Sequence, residues 1–336
     1  QSWHRRVLGQ RWQMAHWLGT ARSACESPVS HGWCMASIYS RALMTEPLPP
    51  TLDPVAAARW QAVASAQSPW LHEEVARRMQ ERLQWMRQPP SAWCHWEPVR
   101  GGLEVHALIA ERYPQAACTV YEAPERLAAA QAALGSKWWS PAHWRASAAR
   151  FAEPEPTSVQ MLWANMLLHM APAPQALLAR WQRAIATDGF LMFSCLGPDT
   201  LRELRWLYQA LDCPPCGHEL TDMHDWGDML VQSGFAEPVV DMERITLTFA
   251  SAARALQELR GLGINLHPQR FAGLRTPAWR ARLEQAMTER LMDSDGQIAL
   301  TFEVIYGHAF KAAPRAKVQA STSVSLQDMR AMLRER

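Results

Sequence analysis

What this chain lacks narrows it before any motif does. No run approaches the roughly twenty consecutive apolar residues that a membrane-spanning helix needs, so no such span is expected. There is no surplus of charge either: 34 Lys and Arg stand against 32 Asp and Glu, a net of +2 with the histidines neutral. That balance gives no footing for a broad nucleic-acid surface. Cysteine is sparse and odd in number, seven in 336 residues, which argues against a disulfide framework and for a reducing cytoplasm. Tyrosine is scarce, five against seventeen tryptophans, but the tryptophans are spread along the whole chain and mark no site. With 48% hydrophobic and 20% charged residues, what remains is an ordinary globular protein. It is long enough to bury a substantial core, as one large domain with insertions or as two small ones.

Residues 1–50 are Arg-rich, acid-poor and without sustained periodicity. No apolar segment follows Arg5-Arg6, so an export signal is not favoured over a poorly ordered extension. Met44 is then a candidate start, and Pro47, Pro49 and Pro50 a stiff linker into the domain.

From Asp53 the pattern alternates between helix and strand. Asp53-Pro54 caps a first helix, and a second is expected over Leu71–Met86. Strands are expected at Ala117–Glu122, near 144–148, and at Ser158–Trp163, the last ending in Ala164-Asn165 with His169 just beyond. The apolar run from Gly189 is stopped by Gly197-Pro198 and reads as another buried strand, with Asp199 or Thr200 placed to cap the next helix. The helix Pro172–Ile185 joins these two strands into a βαβ unit, which right-handed crossover makes parallel. Downstream, Thr221-Asp222 caps the helix 223–233, and Val239–Phe249 pairs with Gln297–Tyr306. The two helices at about 251–292 interrupt that pair and form an insertion too long for a hairpin, which predicts a lid. The tail 313–336 is polar and basic, with a short helix at 325–334. Cys213-x-x-Cys216 with His218 carries zinc-type ligands, but no second ligand cluster accompanies it and no metal is expected.

Taken in order, Asn165-Met-Leu-Leu-His169, Gly189-Phe-Leu-Met-Phe-Ser194, Gly197-Pro-Asp-Thr-Leu201, Thr221-Asp-Met-His-Asp225, Gly234-Phe235 and Glu303-Val-Ile-Tyr-Gly-His308 resemble the malonyl-[acyl-carrier protein] O-methyltransferases of biotin synthesis. The likeness covers roughly Leu52 to Lys311. It implies an α/β fold of the class I methyltransferase (Rossmann-like) type over 51–312: a mostly parallel sheet with helices on both faces, a final antiparallel strand pair and a helical lid. It also implies S-adenosylmethionine (SAM) as cofactor, malonyl acyl carrier protein as partner, and no role for nucleic acid or membrane.

Several site residues follow from the same resemblance. Glu122, at a strand tip, matches the acid that accepts hydrogen bonds from the cofactor's ribose. The glycine-rich cofactor loop maps to Trp93–Gly102, where His95 stands near the usual acid and Gly101-Gly102 remain, while Glu97 and Val99 replace two glycines. Asn165 and His169 are expected to shape the methyl path. A substrate carboxylate calls for an arginine fork. Arg202, Arg205, Arg244 and Arg270 lie on segments around the mouth, and Arg205 and Arg270 are carried forward for that role. The altered loop leaves open a cofactor-free binding or assembly module, and a methyltransferase of another small acid also remains open.

Overall fold

The computed structural model describes residues 52–135 and 149–313. The expected extension at 1–50, the strand placed near 144–148 and the tail helix lie outside the described residues.

Helix α1 (Pro54–Gln61) starts as its cap predicts. The Asp53 carboxylate accepts from the amides of Val55 and Ala56, and Pro54 occupies the first turn, where its missing N–H costs nothing. Helix α2 (Trp70–Glu81) buries Leu71, Val75, Ala76 and Met79 on one face. Its polar face pairs Arg77 and Arg78 with Glu74 and reaches the sheet edge through Arg78–Glu243 and Arg82–Asp241. It ends five residues before the expected Met86, tightening into a 3-10 turn over Arg82–Trp85.

Then follow β1 (Ala92–Trp96), the single turn α3 (Pro98–Gly101), α4 (Val105–Arg112), β2 (Ala117–Tyr121), α5 (Pro124–Leu134), β3 (Arg150–Phe151) and β4 (Val159–Ala164). The second half holds α6 (Pro174–Ala184), β5 (Ile185–Leu196), α7 (Arg202–Ala210), α8 (Met223–Gln232), β6 (Ala236–Phe249), α9 (Ala252–Leu262), α10 (Pro277–Leu291) and β7 (Ile298–Phe310).

The seven strands form one sheet in the order β3-β2-β1-β4-β5-β7-β6. Strands β1 to β5 are mutually parallel, and β7 runs antiparallel between β5 and β6. This is the mostly parallel sheet with a closing antiparallel pair that the sequence predicts. Because helices cover both faces, the central strands are apolar almost without alternation: Met161 to Ala164 of β4 and Phe190 to Phe193 of β5 are all buried. One apolar cluster, built around Trp93, Met161, Trp163 and Tyr306, fills one face, and another around Trp96, Leu162, Trp181 and Trp226 fills the other.

Two local expectations are corrected. Neither Asp199 nor Thr200 caps α7. Thr200 is drawn into the sheet, its hydroxyl donating to the Glu303 carbonyl and accepting from the Glu303 amide at 3.1 Å each, while Asp199 pairs with Arg244 at 2.6 Å. The chain turns through Leu201 at φ 56 and the helix starts only at Arg202. The last strand runs on past Tyr306 to Phe310, because β5 and β6 pair with it along that whole length. The insertion 251–292 folds as α9 and α10, which lie over the ends of β5 and β7.

Candidate functional site

Strand β1 has β2 on one side and β4 on the other, so the connections leaving β1 and β4 part in opposite directions at their carboxyl ends. A crevice opens at such a switch point, and ligands of open α/β sheets bind there. Its floor is made of Glu97–Gly102, after β1, and Asn165–His169, after β4. A Cβ on Gly101 would stand 2.9 Å from the Asn165 carbonyl oxygen, so only glycine allows these two segments to come so close. Gly102 adopts φ +123, and a Cβ there would press on Glu73 and Ala76 of α2. The two glycines therefore seat the loop against β4 and α2. Glu73 returns the contact by accepting the Leu103 amide at 2.7 Å at the start of α4.

Asn165 is wholly buried and fully engaged. Its amide donates to the His72 carbonyl at 2.8 Å and to the Gly101 carbonyl, and its oxygen accepts from the Ser194 hydroxyl at 2.6 Å. It ties α2, the loop and β5 together, and no polar atom is left over for chemistry. His95 does not reach the crevice. In β1 it shares a face with Trp93, and its ring stacks on His106 of α4, with Nδ1 to Nδ1 at 3.1 Å. Burial, then the neighbouring His106, hold it well below the ordinary histidine range. Strand alternation, rather than position within the loop, decides where it points.

Glu122 does sit at the tip of β2, but turned inward. One oxygen accepts the Val99 amide at 3.0 Å, and the other accepts the Ala123 amide and Arg126 Nε at 2.9 Å each. Its side chain has no exposed surface, and neither has that of Arg126. Arg126 also donates to Glu97 at 2.8 Å and to the Gln61 carbonyl at 2.8 Å. Glu97 holds a left-handed conformation at φ 48, and burial raises its pKa above the usual carboxylate range, against the pull of Arg126. Arg100 pins the end of α1 over the same corner: it lies 4.2 Å from the Trp60 ring centroid and donates to the Gln61 side chain at 3.1 Å and to the Trp60 and Val63 carbonyls. What stays open beside it is a cavity of about 270 Å³, lined by Trp60, His72, Glu97, Arg100, Met166 and Met170. His72 Nδ1 meets the Arg100 carbonyl at 2.6 Å and so carries the proton, which leaves Nε2 a buried acceptor without a partner.

As folded, these residues do not fit the ribose of SAM. Three donors already hold Glu122, it shows no surface to a diol, and Arg126 fills the space beside it.

A second cavity, of about 720 Å³, lies further along the same sheet edge under α9 and α10. Its walls are mostly apolar, with Leu196, Leu204, Tyr208, Leu259, Trp279 and Phe302 among them, and its cations are Arg205, Arg260, Arg275 and Arg280. Arg205 bonds only to the Thr200 and His218 carbonyls, at 3.2 Å each, and has no acidic partner among the described residues. Arg280 is paired with Glu284, and Arg275 lies over Phe271 and Trp279. His169 and His218 line the same cavity. His218 Nε2 donates to the His169 carbonyl at 3.1 Å, and burial lowers the pKa of His218 to about 4 and that of His169 well below its ordinary value. Both rings are therefore neutral at physiological pH.

Of the two arginines carried forward, Arg205 reaches this cavity and Arg270 does not. Arg270 is bound to Asp53 and to the His267 carbonyl, which ties the lid loop to the start of α1. Arg202 pairs with Glu203, and Arg244 with Asp199. Sequence reasoning missed Arg126, Arg100 and His72. Arg126 follows Glu122 by four residues, a spacing that reads as an exposed helix pair.

No family profile matches the chain. It is 36% identical over 262 residues to the malonyl-[acyl-carrier protein] O-methyltransferase of Gallionella capsiferriformans, covering 73% of this chain and 85% of that one. The enzyme of the same name from Laribacter hongkongensis is 36% identical over 256 residues, 74% of this chain and 84% of its own. A third, from Nitrosospira multiformis, is 38% identical over 166 residues, 49% of this chain and 53% of its own.

Proposed function

This chain belongs to the malonyl-[acyl-carrier protein] O-methyltransferase family of SAM-dependent methyltransferases, and we propose that it esterifies the free carboxylate of a malonyl group presented on acyl carrier protein, in biotin synthesis. The observation that carries the substrate side is the lid cavity. Its roughly 720 Å³ falls within the range of about 300–1,000 Å³ typical of ligand sites. Its walls are mostly apolar, and it holds in Arg205 a guanidinium that pairs with no acid among the described residues.

A carboxylate needs no base to act as a nucleophile, so the protein's part is to keep it ionised, fixed and dry. Arg205 supplies the positive charge and two parallel donors for the acid oxygens. The neutral rings of His169 and His218 leave that charge undivided, and Leu204, Phe302 and Trp279 close the apolar walls. The compartment consistent with this reading is the cytoplasm, where the described cysteines, all free, would stay reduced.

The test is to incubate the full chain with malonyl carrier protein and SAM and to follow the acyl group by mass spectrometry. A methyl ester is expected with the malonyl carrier and none with an acyl carrier lacking a free carboxylate. Arg205→Met should raise KM for the malonyl carrier by about tenfold to a hundredfold, the loss of one charge-assisted contact of about 1.5–3 kcal/mol. If no ester forms while the malonyl carrier still binds, the reading moves to a binding module.

A further inference from the structure

Arg126 stands apart from the other buried groups of this chain because it is a fully enclosed cation placed where the crevice should be open. Its Nε holds Glu122 at 2.9 Å, one terminal nitrogen holds Glu97 at 2.8 Å, and the other holds the Gln61 carbonyl at 2.8 Å. Each of its three nitrogens is engaged, and each partner comes from a different element: the tip of β2, the loop after β1, and the end of α1. Arg100 reinforces the closure from outside through Trp60 and Val63. The four charges balance, two carboxylates against two guanidiniums, so the cluster can stay dry without an external ion.

Glu97 shows that the arrangement is built. A non-glycine residue at φ 48 is held in a region that costs free energy, and it persists because its carboxylate is fixed by Arg126. Val99 contributes its amide to Glu122 at 3.0 Å, turning the loop's own donor onto the strand-tip acid.

We infer that Arg126 is an internal occupant of the cofactor corner, so that a ligand carrying a vicinal diol reaches Glu122 only by displacing the guanidinium and opening the Glu97–Arg126–Glu122 latch. This rests on the methyltransferase reading above and adds to it a residue that sets cofactor affinity. The latch lowers the affinity for SAM and for its demethylated product alike, because both present the same ribose to the same acid. It leaves the lid cavity untouched.

The experiment is titration calorimetry of S-adenosylhomocysteine into the full chain and into the double variant Glu97→Gly/Arg126→Met. The double variant removes one charge of each sign and puts glycine at the left-handed position. Binding at least tenfold tighter in the double variant is expected, with Glu122→Gln added to that variant cancelling the gain. Equal affinity in the two proteins would overturn the inference, and so would loss of binding by Glu122→Gln in the otherwise unmutated chain. Thermal melts report whether the variant is folded. If it is not, Glu97→Gly alone, which opens the Glu97 side of the latch and leaves the neutral Arg126–Glu122 pair in place, carries the same comparison. The functional reading is scored separately by ester formation in the unmutated chain at high SAM. The latch can fail with ester still formed, and a gain in binding without any ester sinks the functional reading alone.

Discussion

At the tips of β1 and β2 two carboxylates have closed on the Arg126 guanidinium, with Arg100 holding the end of α1 over them, and left about 270 Å³. Along the same edge, under α9 and α10, about 720 Å³ stays open around a guanidinium that meets only carbonyl oxygens. Both regions are built around an arginine on a helix that follows a strand, Arg126 on α5 and Arg205 on α7. They differ in where the counter-charge comes from: the corner carries its own acids in Glu97 and Glu122, whereas Arg205 must take an acid from outside. A charge sealed with its partner within the chain becomes part of the core, and a half-buried one without an acid partner remains available for a ligand.

The strongest way to break this comparison is to cut the corner's own pair. Arg126→Ala leaves Glu97 and Glu122 buried without their ion-pair partner and should destabilise the protein by about 3–5 kcal/mol in urea unfolding. Arg205→Ala removes a cation with no acid partner and should cost about 1 kcal/mol or less. If the two changes cost the same, the corner is not the ion-paired core described here.

Acid should weaken both regions together, since each is walled by neutral histidines. Burial pushes His72, on the corner side, and His218, on the lid side, down to about 4, with His106 of α4 at about 4 as well. Unfolded, these rings titrate near 6.5, so between about 6.5 and 4 the unfolded state binds more protons than the folded one. Stability is thus complete above about 6.5 and falls as the pH drops toward 4, by an amount on the order of a few kcal/mol. Urea midpoints measured at pH 7.5, 6 and 5 should decrease in that order. A flat profile would mean that these rings are charged or exposed.

Asn165→Ala should cost about 1–3 kcal/mol, because the Ser194 hydroxyl and the Gly101 and His72 carbonyls lose a shared buried partner. Its effect on ester formation should follow the loss of folded protein and not exceed it. The smallest effect is expected from Arg270→Met, a barely measurable shift of the urea midpoint from a solvent-screened pair with Asp53, with KM for the malonyl carrier unchanged. An altered KM in that variant would return Arg270 to the substrate side.

The sheet was legible because its central strands β4 and β5 carry unbroken apolar runs and β6 alternates, and these signals are local. The strand tips carrying Asn165 and Glu122 were placed correctly for the same reason. What those side chains do was not legible. Glu122 and Arg126 four residues apart look the same whether the pair faces water or is sealed, and here the sealing comes from the carbonyls at the end of α1, some sixty residues earlier in the chain. His95 was misplaced because it was read by its offset within a loop, whereas alternation along β1 puts it with Trp93 on the α4 side. Arg205 and Arg270 could be separated only once Asp53, more than two hundred residues before Arg270, was seen to claim the latter.

The proposed division of labour gives the corner control of the cofactor and the lid cavity the acyl carboxylate. It is tested most directly by measuring KM for SAM and KM for the malonyl carrier in the full chain and in Glu97→Gly/Arg126→Met. KM for SAM should fall at least tenfold in the variant while KM for the carrier stays within about twofold, since none of Gln61, Glu97, Arg100, Glu122 and Arg126 lines the lid cavity. An unchanged KM for SAM, or a change of equal size in both constants, would contradict it.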